Sequence, residues 1–189
     1  LTTMAVLAGV CLCTAVHHLW VGLRRPVRPA HVMFGLLSFF VAAYVLVKLG
    51  AYRAVSAEEL VALRRWEILF AVAIIGILPW FAAEHTGVWR RVPLLALSAF
   101  SLLIFAINLI LPYGISFVEL PGLQHLVLPW GEQVVDLRVP QRGPWHNVAW
   151  LILLLSFTYG MYACVLQYRQ GARRRALEFA FALGTFFAF

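Results

Sequence analysis

The chain alternates long apolar runs with short polar breaks. One apolar run covers residues 1–23 and ends at "RRPVRP"; a second covers about residues 30–54. Each supplies roughly the 20 residues a helix needs to cross a hydrocarbon layer about 30 Å thick. In "SAEELVALRRWE", Ser56 followed three residues later by Glu59 reads as a capping box, which starts a helix near Ala57. That helix runs through "ILFAVAIIGILPWFAAEHT" and stops at Gly87, a residue suited to a helix C-terminus. Spanning residues 57–86, it would be about 45 Å long at 1.5 Å per residue. Its first two turns are expected to stand out of the bilayer, and Pro79 is expected to kink it.

A fourth helix is expected over residues 93–111, with Pro93 in its first turn. A fifth follows over 146–167 and a sixth over 176–189. Between the fourth and fifth lies a non-helical stretch, about residues 112–144. Within it "QVVDLRV" places Val135, Leu137 and Val139 on one side and Asp136 and Arg138 on the other, a strand pattern. "LVL" precedes it across "PWGE", so a small hairpin is expected. The fold class is therefore an all-α polytopic membrane helix bundle. It has one domain over residues 1–189, about six transmembrane helices and a small β-hairpin-like outer loop. The sequence holds no internal repeat.

Composition sharpens this picture. Hydrophobic residues make up 63% and charged residues 12%, against about half and a quarter in an ordinary soluble domain. Mean hydropathy is +0.87. The net charge of +7 sits mostly in short loops and fixes orientation rather than binding nucleic acid. If the loop after the first helix is cytoplasmic, the inside carries nine arginines: Arg24, Arg25, Arg28, Arg90, Arg91, Arg169 and Arg173 to Arg175. The outside carries five: Arg53, Arg64, Arg65, Arg138 and Arg142. The bias places the N-terminus outside. The first residue is Leu and the last run is still apolar at Phe189. The chain therefore reads as a segment of a longer product, with a seventh helix expected to return it to the cytoplasm. The first run has neither the basic start nor the small-residue cleavage site of a signal peptide.

Polar residues inside the apolar runs are the candidates for chemistry. His17 lies about 10 Å along its helix from Arg24, near the inner edge of the hydrocarbon. His31 and His85 fall at the same level. Histidines at one depth could hold haem iron through axial imidazoles, with His17 and His85 as the pair to test. The competing reading makes them interfacial residues beside the anchor Trp20. His17 and His18 diverge by about 100° around a helix and cannot both face one small ligand. Lys48 and Glu67 are intramembrane polar residues near the outer edge. They are readable as an ion pair between the second and third helices, with Lys48 also able to snorkel. Asn108 reads as a hydrogen-bonding link between helices, and Ala180 with Gly184 as a small-residue packing motif.

The outer stretch offers Tyr113, Phe117, Glu119, Trp130, Glu132 and Trp145 as a possible ligand or partner surface, since a long loop without helices is usually functional or disordered. The alternative lays its aromatic rings on the bilayer surface as a belt. Cys11, Cys13 and Cys164 all lie in apolar runs and read as small buried residues rather than as metal ligands or a disulfide. There is no Gly-rich phosphate loop, no His-Glu-x-x-His and no carboxylate pair at catalytic spacing. No enzyme activity and no metal site are expected within these residues.

At "HHLWVGLRRP", "AYRAVSAEELVALRRWE", "PWFAAEHTG", "NLILPYGISFVEL", "PWGEQV" and "RQGARRRAL" the chain resembles the seven-helix N-terminal input modules of bacterial sensor histidine kinases. Related modules precede PAS, cyclase or kinase domains. The resemblance covers nearly the whole chain and implies a bacterial inner-membrane location, an outside N-terminus, six or seven helices and a cytoplasmic output domain. No phospho-acceptor histidine box and no nucleotide-binding domain occur in these residues, and the family carries over no ligand-binding residue. The function expected first is a membrane-embedded sensory input module. Two alternatives stand beside it. One is an accessory structural subunit of a larger respiratory or photosynthetic membrane complex. The other is a haem-binding electron carrier, the only reading that requires a cofactor. Expected partners are the lipid bilayer, other membrane subunits or a second copy of the chain, and not nucleic acid.

Overall fold

The computed structural model describes residues 1–24, 29–119, 122–136 and 143–188. Six helices account for most of these: α1 (Thr2–Arg24), α2 (Pro29–Tyr52), α3 (Ala57–Thr86), α4 (Arg91–Ile110), α5 (Pro144–Arg169) and α6 (Arg173–Ala188). A two-stranded sheet of β1 (His125–Val127) and β2 (Gln133–Val135) sits between α4 and α5. Helices α1 to α5 are each long and apolar enough to cross a membrane. α6, at 16 residues, is about 24 Å long.

Local chemistry sets the helix ends. The Ser56 hydroxyl accepts the Glu59 N–H at 3.1 Å, and the Glu59 carboxylate reaches back to the Val55 N–H at 2.9 Å. The expected capping box is present, with its return bond shifted one residue outward. Gly87 ends α3 at φ +74 and donates its N–H to the Ala83 carbonyl at 2.9 Å. α3 stays helical through Pro79. α5 starts two residues before the expected position because Pro144 serves at its first turn. α6 starts three residues early because Arg173 to Arg175 are good helix formers and the Ala176 N–H already bonds the Ala172 carbonyl.

The expected hairpin forms, with His125 opposite Val135, Leu126 opposite Val134 and Val127 opposite Gln133. Its turn is closed by the Leu128 N–H on the Glu132 carbonyl and the Gly131 N–H on the Leu128 carbonyl, both at 2.8 Å. Gly131 takes φ +84 there. The remainder of the expected strand (Leu137, Arg138 and Val139) lies outside the described residues, as do Arg25, Arg28 and Arg142.

α3 is the axis of the bundle. It packs against α2, α4 and α5, while α1 packs on α2 and α6 on α5. Three apolar clusters follow. Val72, Ile75 and Ala83 of α3 meet Leu94, Leu97 and Ile104 of α4 and Ile152 and Tyr159 of α5. Leu37 of α2, Ile74, Leu78 and Ala82 of α3, Cys164 of α5 and Phe179 and Leu183 of α6 form the second. The third joins the ends of α2 and α3 to the loop and hairpin through Ala51, Ala54, Leu60, Phe117 and Val135.

Two glycines let α1 and α2 approach closely. A Cβ on Gly22 would stand 2.6 Å from Val32 Cγ2, and one on Gly35 would stand 2.8 Å from Leu19 Cγ. Of the small-residue pair expected on α6, Ala180 packs against the second cluster. Gly184 faces open space, and it is Gly160 of α5 that admits Leu183, at 2.7 Å from its would-be Cβ.

Candidate functional site

The helices alternate in direction, so the chain has two chemically distinct ends. The hairpin end gathers the C-terminus of α2, the N-terminus of α3, residues 111–119, the hairpin and the start of α5. The arginine end gathers Arg24, Arg90, Arg91, Arg169 and Arg173 to Arg175.

At the hairpin end each of the expected intramembrane polar residues finds a partner. Glu67 is only 3% exposed. Its carboxylate accepts from Arg64 Nη1, one turn earlier on α3. The Tyr44 hydroxyl of α2 accepts from Lys48 Nζ at 3.3 Å. Lys48 thus bonds within its own helix, while Arg64 takes the ion pair that the sequence reading gave to Lys48. The Arg64 guanidinium also lies 5.5 Å over the Phe117 ring. A buried charge is tolerated only when paired, and α3 supplies the cation from its own i, i+3 position.

Arg65, on the neighbouring face, donates through Nη2 to the carbonyls of Leu111 and Pro112, both at 2.8 Å. These are carbonyls beyond the C-terminus of α4, which no helix bond satisfies. Asn108 completes the junction. Its Nδ2 donates to the Arg65 carbonyl at 3.2 Å, and its Oδ1 accepts the Ile115 N–H at 3.2 Å. It is 1% exposed. One amide thereby fixes α4, α3 and the following loop to each other. Gly114 permits this: it takes φ +64, and any Cβ there would come within 2.7 Å of Asn108 Oδ1.

Residues 111–118 and the start of α5 enclose a cleft of about 250 Å³. Of the six residues expected as a ligand or partner surface, Tyr113, Phe117 and Trp145 line it. Phe117 is buried, while Tyr113 and Trp145 are exposed. The other three lie elsewhere. Glu119 is exposed beyond the cleft, and Trp130 sits at the hairpin turn with its indole N–H on Glu132 at 3.1 Å. Sequence reading did not single out Arg64, Arg65, Tyr44 or Gly114 as site residues. The spacing of Arg64 and Glu67 on one helix face was the available signal. The Arg65 bonds to carbonyls 46 and 47 residues away had none.

At the arginine end the rings form a row. His17 meets His18 edge-on at 5.3 Å, and His18 meets His31 at 5.2 Å and Phe34 at 4.7 Å. Phe34 then meets Phe81 at 5.6 Å, and Phe81 meets His85 at 5.9 Å and Phe179 of α6 at 5.6 Å. His17 and His85 are therefore linked through His18, Phe34 and Phe81, with no direct ring contact among the described residues. Arg24 covers the Trp20 ring at 3.9 Å and Arg173 the Tyr168 ring at 5.5 Å. Tyr159 ties α5 to the turn after α3 by donating to the Val88 carbonyl at 2.8 Å. Cys11, Cys13 and Cys164 are free thiols, and only Cys164 is buried. No family model, curated protein or solved structure matches this chain.

Proposed function

We propose that this chain is the membrane-embedded input module of a bacterial inner-membrane signalling protein. In this reading the hairpin end is outside, the arginine end faces the cytoplasm, and the signal passes to a cytoplasmic output domain beyond these residues. The observation that carries it is the junction of Arg65 and Asn108. Through it, the loop bearing the aromatic cleft is fastened to α3, the helix that contacts α2, α4 and α5 and ends at the histidine and arginine cluster. A ligand or lipid that prefers one placement of residues 111–118 would shift α3 with it. Such a shift requires different affinity for two states.

The coding sequence downstream of Phe189 is the test. The proposal expects one further membrane crossing and then an output domain. In that full-length protein, Asn108→Leu should change output while membrane insertion is retained. A stop codon directly after Phe189, with the chain co-purifying in a respiratory or photosynthetic complex, would replace this reading with the accessory subunit. A Soret band in the purified protein, lost in His17→Ala or His85→Ala, would replace it with the haem carrier.

A further inference from the structure

We propose that His18 and His31 form a binding site for a divalent transition-metal ion that bridges α1 and α2, independently of the input-module reading. The two Nδ1 atoms point at each other across the helix pair at 3.0 Å. The ring centres are 5.2 Å apart, so the centre separation exceeds the nitrogen gap by 2.2 Å. That excess is about two centre-to-nitrogen distances of an imidazole. Both nitrogens therefore lie close to the line joining the ring centres, and one lone pair faces one N–H.

An ion held tetrahedrally at about 2.0–2.1 Å from each nitrogen would set them about 3.3–3.4 Å apart. The nitrogens need to part by only a few tenths of an ångström, and each ring to turn by about 35° so that its lone pair leaves the N–N line and points at the ion. The backbones are already fixed beside the pair, because Gly22 seats against Val32 and Gly35 against Leu19. Close helix packing brings the two imidazoles together, and the ion has only to turn them. Imidazole pairs suit zinc, copper and nickel rather than magnesium or calcium.

The proton balance is defined. In the neutral pair one ring carries its proton on Nδ1 and the other on Nε2. Metal binding through both Nδ1 atoms moves the first proton to Nε2 and releases none. From the singly protonated pair it releases one. His17 stands edge-on against His18 and does not complete a third ligand, and among the described residues no three His, Cys, Asp or Glu groups converge on one point. Water would fill the other positions, as at metal sites that keep part of their coordination open.

The test is Zn²⁺ and Co²⁺ titration of the whole chain in lipid nanodiscs, with calorimetry for Zn²⁺ and optical absorption for Co²⁺. One equivalent should bind, with a nitrogen and oxygen spectrum free of thiolate charge transfer. His18→Gln and His31→Gln should each weaken binding at least about tenfold. His17→Gln, adjacent on the same helix, should leave it within about twofold of the parent. Equal affinity in the His18 and His31 variants, a thiolate band from Cys11 or Cys13, or no saturable binding in the parent would overturn the proposal.

Discussion

Replacing Glu67 with glutamine removes the negative half of the ion pair at the hairpin end while keeping the side chain's shape. Arg64 then holds an uncompensated charge with only 17% of its side chain exposed, and its Nε is already buried without a partner. Breaking a buried pair from one side costs about 3–5 kcal/mol. The Phe117 face beside the guanidinium is the same in parent and variant, so the full loss of about 3–5 kcal/mol is expected. Arg64→Met alone should cost at least as much, since Glu67, 3% exposed, is then left without its cation. The double variant Arg64→Met with Glu67→Leu removes both charges and should recover most of the stability. Reversible unfolding in mixed detergent micelles, followed by tryptophan fluorescence, gives all three free energies. A Glu67→Gln cost below about 1 kcal/mol would refute the reasoning, as would single effects that add in the double variant to within about 0.5 kcal/mol.

Three further outcomes test other parts of the structure. Gly114→Ala forces a side chain into φ +64 and a 2.7 Å clash with Asn108 Oδ1; it should cost about 1–3 kcal/mol in the same assay, more than Gly87→Ala, whose Cβ would meet open space. Ser56→Ala should cost about 1 kcal/mol through loss of the α3 cap, and no change would remove that bond from the account. Membrane-impermeant thiol reagents applied to intact spheroplasts should label Val55→Cys and spare Trp89→Cys, both exposed at opposite ends of α3; the reverse pattern would invert the proposed orientation.

The sequence by itself determined the class of fold and most of its element boundaries. Runs of apolar residues longer than a bilayer crossing have one low-energy fate, because a helix satisfies its backbone within the segment. The start of α3 was legible from Ser56 and Glu59, and its end from Gly87, because capping acts over three or four residues. The hairpin was legible as two short apolar runs across a Pro-Trp-Gly turn, but not from the expected alternation: β2 buries the adjacent Val134 and Val135 alike, and residues 137–139 lie outside the described residues. Partner choice was not. Glu67 found Arg64 rather than Lys48, and His18 found His31 on α2 while His85 found Phe179 on α6. In helices apolar on every side, hydrophobic period no longer marks the inward face. Rotation and neighbour are then decided by where side chains can interlock. Gly22, Gly35 and Gly160 set those contacts through the space they leave, and Gly184, spaced equally well in sequence, sets none. The loop was held for the same reason: Asn108 and Arg65 bond backbone groups up to 47 residues away, a distance over which only the assembled bundle decides what meets.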